Sequence, residues 1–109
     1  MTKEMTEEKT YEEWVAIVKE DSFALELVPE RLRDRPLCSL AVIGHGCALE
    51  YVPEQLKDRE ICLNAVKELG LAIEYIPEEL LDREICTEAL RHYYDDVIEL
   101  VPEIFVKKG

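Results

Sequence analysis

Residues 48–71 read ALEYVPEQLKDREICLNAVKELGL. The same wording returns 24 positions later as AIEYIPEELLDREICTEALRHYYDD (residues 72–96) and 24 positions earlier as ALELVPERLRDRPLCSLAVIGHGC (residues 24–47). Pro29, Pro53 and Pro77 keep this period, and so do Cys38, Cys62 and Cys86. Self-similarity at a fixed spacing of this size marks a stacked repeat architecture, in which no unit buries its own apolar face and neighbours make one continuous core.

Working outward, a half-unit, VIELVPEIFV, starts at Val97 after a one-residue insertion near Asp95. Backwards, Trp14 falls in the cysteine column, Ile17 in that of Ala41 and Ala65, and Ser22 in that of Gly46 and Gly70. Residues 10–23 therefore read as a divergent capping helix. A bulky Trp14 in place of a small thiol suits a terminal unit with no further neighbour. The organisation expected is a flexible acidic N-terminus over residues 1–9 and one helical-repeat domain over 10–109. Within it lie the cap at 10–23, repeats at 24–47, 48–71 and 72–96, and a half-repeat at 97–109.

Inside a unit, Asp58 is a good N-cap, Arg59 and Glu60 fill a first turn, and Ile61, Cys62, Ala65, Val66 and Leu69 recur at helical spacing. Gly70 is expected to stop this helix by adopting positive φ. Pro36 stands where the later units have glutamate, in a first turn that tolerates a missing N–H. A second, shorter helical piece over Ala72, Ile73, Tyr75 and Ile76 is expected to kink at Pro77 and turn once more through Leu80, after which Asp82 caps the next long helix. Strand-like alternation is absent from the sequence. The fold class expected is all-α: a short right-handed helical-repeat solenoid of long helix, glycine stop and short proline-kinked helix.

The wording ALEYVPEQLKDREICLNAVKELG and AIEYIPEELLDREICTEAL resembles the tandem repeats grouped as domain of unknown function 4116, over roughly residues 11–105. The resemblance implies repeat architecture and brings no activity, substrate or catalytic residue with it. The chain departs from the repeat at HGC, closing the first unit, and at HYYDD, closing the third.

Charge carries the functional reading. Among 109 residues, 25 are Asp or Glu and 13 are Lys or Arg, a net charge of -12, with 48% hydrophobic residues to build a core. Such a surface repels phosphate backbones and anionic headgroups, so neither direct nucleic-acid binding nor membrane binding is expected, and a protein partner drawn by charge is a basic one. Met1 to Lys9 lacks the basic-then-apolar layout of a signal peptide, and no apolar run approaches a membrane span; a cytoplasmic chain with reduced thiols is expected.

Catalysis calls for a nucleophile beside a base, paired carboxylates in a cleft or a phosphate-cradling glycine loop. Four scattered glycines, two histidines and two serines (Ser22, Ser39) supply none, so no enzyme and no cofactor is expected. The three periodic cysteines read as buried thiols, because equivalent positions on stacked helices lie about 8–10 Å apart, beyond disulfide or zinc geometry. His45 and Cys47 supply two ligand types in H-x-C order, short of a metal site. The apolar residues Ile98, Leu100, Val101, Ile104 and Phe105 of the half-unit leave the oligomeric state open.

The acids form columns: Glu26, Glu50, Glu74 and Glu99; and Glu30, Glu54, Glu78 and Glu103. Arg35, Arg59 and Arg83 follow the capping aspartates, so acidic and arginine rows are expected to neutralise each other in part. The third unit stands out, with eight acids against Arg83 and Arg91. Glu74, Tyr75, Glu78, Glu79, Glu84, Glu88, Tyr93, Tyr94, Asp95 and Asp96 are its candidate protein-binding residues, since aromatic side chains beside acids serve protein contacts. Two functions are weighed: a non-catalytic protein-interaction module, and an acidic inhibitor or immunity-type protein covering the basic surface of a nucleic-acid enzyme.

Overall fold

In a computed structural model, the chain is described over residues 9–91 and 97–102. The flexible-tail expectation for residues 1–9 falls largely outside that range. Among the described residues four α-helices, α1 (Tyr11–Glu20), α2 (Arg35–Gly44), α3 (Arg59–Glu68) and α4 (Arg83–Leu90), alternate with 3₁₀ segments. Six-residue segments η1 (Ser22–Leu27), η3 (Gly46–Tyr51) and η5 (Gly70–Tyr75) follow the first three α-helices. Each is succeeded by a single turn, η2 (Glu30–Leu32), η4 (Glu54–Leu56) or η6 (Glu78–Leu80), and η7 (Ile98–Leu100) opens the half-unit. The protein is an all-helical stack of repeated helix–turn units, with successive α-helices packed on one another and η1, η3 and η5 packed likewise.

The α-helices begin where the aspartates stand. Asp34, Asp58 and Asp82 accept hydrogen bonds from the backbone N–H of Leu37, Ile61 and Ile85 at 3.1, 2.9 and 2.9 Å. Pro36 sits in the first turn of α2. Thr10 and Glu13 form a reciprocal capping box on α1.

The helices end differently from the expectation for Gly70. Its predecessor Leu69 turns extended (φ -153°, ψ 113°), as do Asp21 and His45 in the same column, and no glycine of the described chain has positive φ. Glycine is needed at 70 for close approach: a Cβ there would overlap the carbonyl oxygen of Ala89 in α4, and at Gly46 that of Ala65 in α3. At the first junction the small residue changes sides, for Ser22 occupies the glycine column and its hydroxyl fills the space that a Cβ on Gly44 of α2 would take.

The shorter pieces are 3₁₀ rather than α. Six residues between two extended caps leave no room for two α turns, whereas 3₁₀ geometry completes two turns in six and eclipses positions i and i+3. That spacing gives the buried pairs Leu25/Val28, Leu49/Val52 and Ile73/Ile76. These pack against α-helical rows Leu37/Ile61/Ile85 and Ala41/Ala65/Ala89 and the thiols of Cys38, Cys62 and Cys86, which are 0% exposed. Burying such aliphatic side chains contributes about 1.5–3 kcal/mol each, which a single unit cannot achieve alone. Trp14 closes the row at one end, 8% exposed, with the Lys9 ammonium 5.3 Å from its ring centre.

Candidate functional site

Two cationic columns tie the units together, and their interruption shapes the third unit. The first is a ladder along the helix starts. Tyr11 donates to Asp34 at 2.9 Å. One repeat on, Arg35 reaches Asp58 at 2.8 Å and Glu60 at 2.9 Å, and one further, Arg59 reaches Asp82 and Glu84, both at 2.6 Å. The arginines hold the carboxyls of Asp58 and Asp82 below the usual aspartate range. Arg83, the next rung, is exposed and makes no ion pair among the described residues.

The second column runs underneath. Proline at 29 has no N–H to offer the carbonyl of Glu26, so the end of η1 carries orphan acceptors. Arg33 satisfies them, Nε donating to Val28 O at 2.8 Å and Nη2 to Glu26 O at 3.0 Å. Its Nη1 crosses to Tyr51 O of the next unit at 2.9 Å. Lys57 repeats the crossing: its ammonium donates to Tyr75 O at 3.0 Å and to the Glu54 carboxylate at 3.0 Å, with a side chain only 6% exposed. Each cation straps a unit to its successor.

At the third position of this column stands Leu81, which has no donor. The opposing aromatic column changes as well, from Tyr51 and Tyr75 to Leu100. The junction between the third unit and the half-unit is consequently open, a groove of about 380 Å³ lined by Ile73, Glu74, Ile76, Glu78, Leu81, Leu100 and Pro102. Glu74 and Glu78 are exposed at its edge, and Leu100 is 39% exposed. Among the described residues no N–H or side chain donates to the carbonyls of Glu74 or Ile76.

The candidate residues of the third unit therefore separate. Glu74 and Glu78 share the groove. Tyr75 is half-buried, its carbonyl held by Lys57, and burial first and then Glu74 and Glu50 push its phenol up. Glu84 belongs to the ladder on Arg59. Glu88 pairs with Arg91 at 3.2 Å along its own helix. Glu79 is exposed on η6. Tyr93, Tyr94, Asp95 and Asp96 lie outside the described residues. Leu81 and Leu100, which open the groove, carry no chemical signature, and the only signal for them is that two periodic columns break.

Elsewhere the chemistry is self-contained. His45 Nδ1 accepts the N–H of Cys47 at 3.2 Å, capping η3 as Asp21 caps η1, and its ring lies 4.6 Å from Phe23. Among the described residues no three His, Cys, Asp or Glu side chains gather as a metal would need, and no helix is long and apolar enough to cross a membrane. All four cysteines are free, and burial pushes the thiols of Cys38 and Cys62 up to about 11.

These features define a helical-repeat scaffold whose units are strapped by cations on carbonyls and carboxylates. The chain belongs to the family described as Domain of unknown function (DUF4116), whose model matches residues 16–57 and again 58–106, each match spanning roughly two of the 24-residue periods. No curated protein and no solved structure shows significant similarity to it.

Proposed function

We propose that this chain is a non-catalytic protein-interaction module that binds its partner at the end of the third unit. The groove there carries the reading. At the two earlier junctions a cation of the chain, Arg33 or Lys57, crosses to the carbonyl of Tyr51 or Tyr75, whereas the third junction presents an apolar floor and a carboxylate rim with no cation across it among the described residues. Such a combination suits a polypeptide better than a small anionic or purely apolar ligand.

A second reading, an acidic protein that covers the basic surface of a nucleic-acid enzyme, is supported by the exposure of Glu26, Glu50, Glu74 and Glu99 in one column and of Glu30, Glu54 and Glu78 in another. Charge laid out at repeat spacing favours fast, salt-sensitive association. Affinity capture from the native host with the unmodified chain and with Glu74→Lys/Glu78→Lys separates the readings. Loss of the partner in the double variant, with modest sensitivity to salt, is the expected result. Retention by the double variant, with collapse at about 0.5 M salt where charges beyond a few ångströms are screened, transfers support to the inhibitor reading.

A further inference from the structure

We propose that the groove at the third junction is a seat for one lysine or arginine side chain of a partner polypeptide, flanked on the partner by an apolar residue. This deepens the protein-interaction reading and rests on it.

The argument comes from the chain's own precedent. At the first junction a guanidinium lies against the carbonyls of Glu26 and Val28 and crosses to that of Tyr51; at the second an ammonium lies between the Glu54 carboxylate and the carbonyl of Tyr75. The repeat register converts these acceptors, one by one, into Glu74, Ile76, Glu78 and Leu100 at the third junction, and all four line the groove. What the register does not supply is the cation, because Leu81 replaces it. The acceptors are thus arranged for a positive group that no described residue provides, and Pro77 cannot donate to the carbonyl of Glu74.

The apolar half of the requirement follows from the same substitution. Leu81 and Leu100, with Ile73, Ile76 and Pro102, line the space that the stem of Arg33 or Lys57 and the ring of a tyrosine serve at the earlier junctions. A partner cation must lay its methylene stem over this floor while its head meets Glu78 and the carbonyls, the way long cationic side chains pack generally. A leucine or similar residue beside it covers the remainder.

The test uses the full chain, labelled for NMR, titrated with acetyl-Ala-Leu-Arg-Leu-Ala-amide and with the same peptide carrying citrulline, which keeps the shape of arginine without its charge. The expected result is shift changes confined to the amides around Leu81, Glu78 and Leu100, with the citrulline peptide bound about tenfold more weakly, the usual scale for losing one charge-assisted hydrogen bond. Leu81→Arg restores the internal strap and should abolish peptide binding while leaving the far-ultraviolet spectrum unchanged and the melting temperature no lower. Glu78→Gln, which keeps the fold, should weaken binding severalfold. Equal binding of both peptides, undiminished binding by Leu81→Arg, or shifts spread over the columns of Glu26 and Glu50 would overturn the proposal. A native partner still held by Leu81→Arg overturns the seat and leaves the interaction reading standing. Lack of any partner for the unmodified chain overturns that broader reading, and the peptide titration still decides the seat.

Discussion

Replacing Gly70 tests the packing logic of the stack at one atom. A Cβ at this position overlaps the Ala89 carbonyl and crowds its carbonyl carbon at 3.1 Å and Cα at 3.3 Å, all backbone of α4. A helix backbone cannot rotate away as a side chain does, so η5 and α4 must part. Overpacking of this kind costs about 1–3 kcal/mol, and the lower unfolded-state entropy of alanine returns about 0.4–1 kcal/mol, leaving a net loss of about 1–2 kcal/mol. For a domain of this size that is roughly 5–15 °C in Tm.

Gly44→Ala is the internal control. There the obstructing atom is the Ser22 hydroxyl, which turns aside, and alanine is the better helix former, so the change should lie within about 0.5 kcal/mol of zero. Thermal and urea unfolding followed by circular dichroism measure both. Gly70→Asn distinguishes close approach from a left-handed backbone requirement, since asparagine tolerates positive φ but is bulkier than alanine. If Gly70→Asn proves milder than Gly70→Ala, or if Gly70→Ala is as harmless as Gly44→Ala, the close-approach argument is wrong.

Acid unfolding should report the ladder: the carboxyls of Asp58 and Asp82 titrate below their ordinary value of 3.8, so their stabilisation is complete above that value and is lost as the pH falls through the lowered folded one. Asp58→Asn/Asp82→Asn keeps the caps and removes the titration, and its stability should decline less steeply below about pH 4 in urea titrations at stepped pH. Thiol labelling of the native protein at pH 8 should modify Cys47, which is half-buried, well before Cys38, Cys62 and Cys86, which should react only as the fold opens; three early-reacting thiols would contradict the buried row. Hydrogen exchange should be faster at Val101, the last described backbone donor, than at its equivalents Val52 and Ile76, and Leu81→Arg should slow it, because the junction it closes has no cationic strap.

Much of this fold was legible in the chain because its cause is periodic. A column of aspartates followed three residues later by an aliphatic residue can be only so many things, and the caps on Leu37, Ile61 and Ile85 are the simplest. The buried thiols followed from the same register. What misled was Gly70: a glycine after a helix suggests positive φ, but here the reason lies 19 residues away on a neighbouring unit, and nothing local distinguishes the two. The third-unit acids misled in a similar way. Counting charges groups Glu74, Glu78, Glu84 and Glu88 together, yet Arg59 and Arg91 engage the last two, and whether an acid is free depends on cations in other units. The groove was least legible, since its signal is a leucine where a cation would be.

A repeat that satisfies itself through its neighbour has a consequence at its last unit. Each of the two junctions between full units uses two donors supplied by the preceding unit, the rung from Arg35 or Arg59 and the strap from Arg33 or Lys57, together with close backbone packing made possible by a glycine. Where the chain has a following unit with matching acceptors, these bonds are internal and add to stability; where the column changes, the acceptors remain with no donor among the described residues. Leu81 removes a donor while Glu74, Ile76 and Glu78 keep the acceptors, so the imbalance at the third junction is specifically one positive charge and one apolar contact short. Net acidity alone would attract any cation weakly and at many places. An acceptor set fixed by rigid 3₁₀ backbone, already shown by Arg33 to fit a guanidinium, restricts that attraction to one side chain in one orientation, which is the difference between a solubilising surface and a binding site.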